Sequence, residues 1–424
     1  MTAQPVHKRD FQAFLSHAHA DKSTVDRLYA WLHDTADIPI WYDAANLPTG
    51  TMIGTYLAEA ITQCRSLIIV LSEASVKSGW VKEEYNAALG QRTQFEEFRI
   101  IPIRFEECEV PGFLQTTKWL DIAGGQFDII PANDLLASLY YDDVDLGLGK
   151  NRDIYISRTW RENEADQADI ICRLLVKAGF RLIGDSKDQE GFAEGQRVES
   201  IISSCGGLVA ILPDRGQGKT SKYMLKEIEI ARDLNLPYLI VKESTVDLPG
   251  ELANQATEVL DTNPADDLSN SAALQNGIEL LGEEWVSPAK PHYIFFGTDF
   301  DDTHTDRNRA IKQTIQRVTA MPCVMGDEIR SGQIQRVITE RISEAFMMIA
   351  DISAENINTC IEAGIARGAR TRFHLVASEP RRRPPFMFRD QQVWHYADDV
   401  DLLGKIHRIV YPYRRRVLNW ELPA

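Results

Sequence analysis

The sequence predicts an α/β protein made of three successive doubly wound parallel-sheet modules. Three observations carry that expectation. The chain has 424 residues, too many for one ordinary core at about 150 residues per domain. One pattern of strand, helix and glutamate recurs three times along it. Its clearest strand candidates are short, continuous apolar runs, the kind buried on both faces of a parallel sheet.

The first copy opens with a strand-like run at Phe11–Ser16 (FQAFLS). A polar loop, an apolar-periodic helix near Val25–His33 and a short strand Ile38–Tyr42 ending at Asp43 follow. The second opens at Asp153–Ser157 (DIYIS), with a helix through Ala168–Ala178 and a strand Phe180–Ile183 before Asp185. The third opens at Tyr293–Gly297 (YIFFG), with a helix through Arg309–Val318 and a strand ending before Asp327. Each copy then carries a buried-type strand, namely Ser66–Leu71, Gly207–Leu212 and Ala345–Ala350. Next comes a helix expected to hold a glutamate in its first turn: WVKEEYNAA, YMLKEIEIA and TCIEAGIA. The glutamates Glu84, Glu227 and Glu362 lie 68, 70 and 65 residues beyond the end of their opening strands. Modules are therefore expected at 1–147, 148–287 and 288–424, each with a crevice at the carboxyl ends of its strands. The Ser, Asn and Asp-rich stretch Ser244–Asn276 reads as a connector holding a helix or two.

Composition narrows the function. With 44% hydrophobic and 25% charged residues the chain is globular, and its net charge of -16 argues against general affinity for nucleic acid backbones. The basic clusters Arg381–Arg383 and Arg414–Arg416 read as solvated loop or helix ends. Six scattered cysteines with no Cys-x-x-Cys pair indicate neither a zinc site nor a disulfide framework. No run approaches the ~18 apolar residues needed to span a bilayer, so the expectation is a cytosolic protein. GQGKT at Gly216–Thr220 fails as a phosphate-binding loop, because Pro213 stands where its first glycine belongs.

In the first copy, FLSHAHAD, WYDAANLPTG and SLIIVLSEASVKSGWVKEEYNAAL resemble, in order, three segments of the TIR family: the first strand and its loop, the second strand and BB loop, and the fourth strand with a W-x-x-x-E segment. The resemblance covers about residues 8–125. It implies a flavodoxin-like parallel sheet and one of two activities, scaffolding by self-association or cleavage of NAD between ribose and nicotinamide. In enzymatic members the glutamate of W-x-x-x-E is the essential carboxylate, which falls on Glu84. Trp80, four residues earlier, shares its helix face, whereas Glu83 points elsewhere. The resemblance further implies nucleotide contacts from His17, Ala18 and His19, and from Asp43, Asn46 and Pro48 in or before the BB loop. Some animal members place arginines where this chain has Ala18 and His19, and an acidic residue at Pro48. His17 and His19 lack a third ligand for a metal site.

The chemistry needs one carboxylate. Nicotinamide leaves as a neutral molecule from a cationic ring, so no strong acid is required. The ribose gains oxocarbenium character, which a negative group aimed at it stabilises. NAD is then the substrate, and neither cofactor nor metal is implied. The product is ADP-ribose, linear or cyclised.

The second copy looks like a divergent TIR-like module, with Tyr223 and Glu227 at the Trp and Glu positions. The third, through IADISAENINTCIEAGIARGA, is similar to nucleoside deoxyribosyltransferase-like domains, making Asp351, Ser353, Asn356 and Glu362 candidate ligand-binding residues. This layout resembles bacterial antiphage defence effectors that deplete NAD. It implies activation by a nucleotide-type ligand or by homo-oligomerisation through TIR domains. The alternatives are a non-catalytic TIR scaffold and a nucleoside-processing enzyme centred on Glu362.

Overall fold

The computed structural model describes residues 6, 9–42, 59–122, 127–140, 152–159, 162–184, 195–288, 292–329, 334–353, 357–379 and 384–413. These residues form three five-stranded sheets with flanking helices, and every strand pair is parallel. The first sheet holds β1 (Ala13–Ser16), β2 (Ile40–Trp41), β3 (Ser66–Leu71), β4 (Arg99–Arg104) and β5 (Leu120–Asp121). The second holds β6 (Arg152–Ser157), β7 (Phe180–Ile183), β8 (Leu208–Leu212), β9 (Tyr238–Glu243) and β10 (Glu258–Thr262). The third holds β11 (Ile294–Gly297), β12 (Cys323–Met325), β13 (Met347–Asp351), β14 (Arg372–Ser378) and β15 (Val393–Tyr396). Numbered within its own module, each sheet runs 2-1-3-4-5. That order reverses between the first and third strands, where doubly wound sheets open a crevice at their carboxyl ends.

Side-chain alternation explains why the strands read as unbroken apolar runs. Ala13, Leu15, Ile68, Val70, Ile101 and Ile103 enter one core of the first sheet. Phe14, Leu67, Ile69, Leu71 and Ile100 enter the core on its other face. A strand covered by helices on both sides needs apolar residues at odd and even positions alike.

The expected connector Ser244–Asn276 is instead part of the second sheet and its cover. β10 pairs with β9 along five residues, Glu258↔Leu239 to Thr262↔Glu243. A helix at Ala272–Glu284, capped by the Ser271 hydroxyl, buries Leu274, Gly277, Ile278 and Leu281. An edge strand with one half-exposed side can carry Glu258 and Asp261, so its composition hides it.

The hydrophobic cores do not follow the expected modules one for one. A single core joins residues of the first sheet's helices to the third sheet. Its seam is formed by the Ile129–Leu139 helix, the Thr305–Thr319 helix, the Asp399–Val410 helix and a π-turn at Trp31–Thr35. Across it Asn133 donates to Gln313 (2.8 Å), Trp31 Nε1 to the Val400 carbonyl (2.8 Å) and Arg408 to the Asp34 carbonyl (3.0 Å). Gly404 sits where the Asp399–Val410 helix crosses the π-turn. A Cβ there would lie 2.7 Å from Thr35 Cγ2 and 2.9 Å from Trp31 Nε1.

The second sheet keeps its own two cores. It meets the third through Arg181, which is buried, forks onto Asp153 and donates to the Thr319 carbonyl at 2.5 Å. All six cysteines are unbridged, four of them buried. Among the described residues no helix is long and apolar enough to cross a membrane.

Candidate functional site

The site at the first sheet's switch point is built by β1, β3 and the Gly79–Gln94 helix. Ser16 is the last residue of β1 and pairs with Ile69 of β3, so the sheet register fixes its position. The helix starts at the Ser78 cap and turns Val81, Tyr85 and Ala88, its third, seventh and tenth residues, into the core. That 4-3 spacing is the buried stripe of a helix. Glu84 lies at the stripe's edge, partly buried, and its carboxylate accepts a short hydrogen bond from the Ser16 hydroxyl. Glu83 is exposed, as the helical geometry requires.

One expectation changes. Glu84 is the sixth residue of its helix, not a first-turn residue, so the helix dipole, which fades beyond the first turn, does little for its charge. The same offset recurs: Glu227 is sixth in Lys222–Asp233 and Glu362 sixth in Ile357–Gly368. The buried stripe recurs too, with Met224, Ile228 and Ala231 in one helix and Thr359, Ala363 and Ala366 in the other. Helix start and stripe therefore hold the three glutamates in register more tightly than their distances along the chain.

The loop after β1 is pinned beside the site. Ala18 is buried and precedes a 3-10 turn at His19–Asp21. Asp21 accepts a hydrogen bond of 2.7 Å from Ser72, which also caps the Glu73–Lys77 helix after β3. His17 is partly buried with its ring 5.3 Å from that of Tyr42. Tyr42 in turn donates to Asp26 at 2.6 Å, and burial together with that bond pushes its phenol up to about 12. His19 is exposed. Asp43, Asn46, Pro48 and the rest of the BB loop lie outside the described residues, as does the side chain of Trp80. Reading the sequence missed Ser16, Asp21 and Ser72. The first of these was visible in the repeat, because FLS and YIS end in serine where YIFFG ends in glycine.

At the equivalent place in the second module, Ser157 at the end of β6 donates to Glu227 at 2.5 Å, and Tyr155 donates to its other oxygen at 2.7 Å. Tyr223, matched to Trp80 in sequence, is 81% exposed.

In the third module Gly297 ends β11, and a Cβ on it would lie 2.8 Å from Glu362 Oε2. Burial alone pushes the Glu362 carboxyl up to about 7. Asp351 accepts from Tyr396 (2.9 Å) and from Ser353, and it faces the buried Arg307 guanidinium at 3.8 Å. Arg307 also donates to Thr298, the neighbour of Gly297, at 3.0 Å. The structure thus gathers Asp351 and Ser353 into one polar cluster at the strand ends, beside the turn that carries Gly297. Asn356 lies outside the described residues.

Residues 13–136 match the family model of the TIR domain, and the N-terminal module is a TIR domain. Among solved structures, the chain is similar to the TIR domain of the Toll-related receptor TRR-2 from Hydra magnipapillata. That match has 22% identity, 26% of this chain and 84% of that one covered, and a TM-score of 0.24. The C-terminal domain of glucosamine-fructose-6-phosphate aminotransferase from Francisella tularensis matches at 7% identity, covering 69% and 96%, with a TM-score of 0.22. Tagatose-6-phosphate ketose/aldose isomerase from Escherichia coli matches at 11% identity, covering 68% and 88%, with a TM-score of 0.20. At these TM-scores none of the three informs the activity of this chain. No curated protein matches it.

Proposed function

We propose that the protein is an NAD glycohydrolase whose TIR domain cleaves the bond between ribose and nicotinamide, with Glu84 as the catalytic carboxylate. The supporting observation is the position of Glu84: a partly buried carboxylate at the switch point of a TIR domain, held against the end of β1. In this reading the ribose of NAD lies against Glu84, and His17, Ala18 and His19 border the nucleotide. The C1′–N bond breaks with its electron pair going to the pyridinium nitrogen, which leaves as neutral nicotinamide. The carboxylate stabilises the positive charge that develops on the ribose. Water then adds at C1′ and loses a proton, giving ADP-ribose; attack by the adenine of the same molecule gives the cyclic form. No cofactor beyond the substrate is required.

We further assign control of this site to association of TIR domains through the BB loop and to a nucleotide-type ligand at the third module, in a cytosolic effector of the antiphage defence class. The core shared by the first and third modules gives such a ligand a packed route to the TIR domain. A second reading, nucleoside processing at Glu362, is favoured by one observation: a carboxyl near 7 is poised to give and take protons at neutral pH.

Incubating the purified full chain with NAD and measuring free nicotinamide tests these readings. Nicotinamide release that disappears in Glu84→Gln and persists in Glu362→Gln supports the first. Turnover of nucleosides lost only in Glu362→Gln supports the second. Absence of both, in concentrated and nucleotide-treated samples alike, leaves a TIR scaffold.

A further inference from the structure

We propose that Ser16 is the positioning residue of this site, its buried hydroxyl holding the Glu84 carboxylate oriented at the switch point. The inference rests on the reading of Glu84 as the carboxylate of NAD cleavage, and three observations carry it.

The first is geometric. Ser16 is 1% exposed and locked by the β1–β3 register, so its hydroxyl is presented by the sheet and not by a loop. It donates to Glu84, which reaches back from a helix on the far side of β3. The second is recurrence. In the second module Ser157, equally buried and locked by its pairing with Ala210, donates to Glu227. Two separately packed sheets arriving at one contact argue against an accident of rotamer.

The third is the natural deletion. The third module has the same strand, the same helix offset and the same buried stripe, but Gly297 provides no hydroxyl. There the carboxyl rises to about 7 through burial, with no hydrogen bond from the described residues opposing the shift. A donor to the charged form lowers a carboxyl's pKa, and burial raises it. A hydroxyl at the strand end thus favours the charged form of the carboxyl it faces, and a glycine there leaves burial unopposed by it. Developing positive charge on a ribose needs the ionised form, and a carboxylate already fixed in place spends no binding energy on being oriented.

The test uses the full chain and its Ser16→Ala, Ser16→Thr and Glu84→Gln variants, with two readouts. One is the pH profile of nicotinamide release. The other is an infrared titration of the Glu84 carboxyl, isolated as the difference spectrum against Glu84→Gln. Ser16→Ala is expected to lower kcat about 10-fold at neutral pH with KM little changed, and to move both the acidic limb and the infrared titration upward by about one pH unit. Ser16→Thr, which keeps the hydroxyl, is expected to restore both. An unmoved titration in Ser16→Ala overturns the inference, as does equal loss in a folded Ser16→Thr. Full activity in Glu84→Gln overturns instead the reading on which it rests. The titration still reports, without turnover, whether Ser16 holds the charge.

Discussion

Glu84 and Glu362 occupy one place in two copies of a fold, and the strand-end residues beside them differ. Both are sixth in their helices, beside the same buried stripe, in modules whose sheets run 2-1-3-4-5. Ser16 donates to the first, whereas Gly297 has nothing to donate to the second. Topology thus delivers a carboxyl group to the switch point, and the strand-end residue decides whether a hydroxyl faces it. The sharpest way to break this comparison is to remove each carboxylate in turn. Glu84→Gln is expected to reduce nicotinamide release on the order of 100-fold or more, the scale of losing one transition-state electrostatic contact. Glu362→Gln is expected to leave release within about 2-fold, unless the third module is itself the site of NAD cleavage.

The same pair differs in how it links stability to pH. The Glu362 carboxyl is raised from 4.5 to about 7 in the folded chain. A raised folded pKa favours the native state below the unfolded value, and that contribution is lost as pH rises through the folded value. Glu362 should therefore make the protein lose about 3 kcal/mol between roughly pH 4.5 and pH 7 and above. Chemical denaturation of wild type against Glu362→Gln across that window isolates the term from all other carboxylates, and parallel curves would contradict it. Gly297→Ser sharpens the point. Its Cβ would come within 2.8 Å of Glu362 Oε2 and 2.9 Å of Met348 Cε, the ends of two flexible side chains, with Thr359 Cγ2 at 3.5 Å, and its hydroxyl should lower the Glu362 pKa and flatten the curve.

Much of this was legible before any coordinates. The run Ser66–Leu71 is a strand from end to end, because a parallel strand covered on both faces is apolar at nearly every position, and Phe180–Ile183 is a strand that also carries Arg181. The repeat located all three glutamates. What escaped had weaker local signals. β10 carries charge because it is an edge, and the two-residue β5 is too short to show a period. Helix starts read at Trp80, Tyr223 and Thr359 lie one or two residues inside the observed starts at Gly79, Lys222 and Ile357, and the glutamates, sixth in each helix, fall in the second turn and not the first. The Ser16–Glu84 contact joins residues 68 apart in the chain, and nothing in either segment alone announces the other. The seam between the first and third modules was equally hidden, since its stripes on Ile129–Leu139 and Asp399–Val410 read as ordinary amphipathic helices.

That seam makes the two compared sites parts of one body, and Gly404 is its tightest point. Substitution by Val forces side-chain atoms against Thr35 and Trp31. Overpacking of this kind costs about 2 kcal/mol, and a thermal melt reads it as a lower Tm. If the shared core conveys ligand binding at the third module to the TIR domain, Gly404→Val should also reduce any nucleotide dependence of nicotinamide release while basal release survives. Destabilisation with unchanged nucleotide dependence would leave the seam as packing only.

The smallest expected effect belongs to the second module, where the comparison gains a third member. Ser157 and Tyr155 donate to the two oxygens of Glu227, and Tyr155 is 1% exposed. A carboxylate held at both oxygens by buried donors is fixed in one orientation within its own module, which suits a structural anchor. Tyr155→Phe removes one donor without changing side-chain shape much, and it should cost about 1 kcal/mol of stability. Denaturant midpoints measure this, and nicotinamide release should not change. Altered release in that variant would mean that the second module's carboxylate takes part in the reaction.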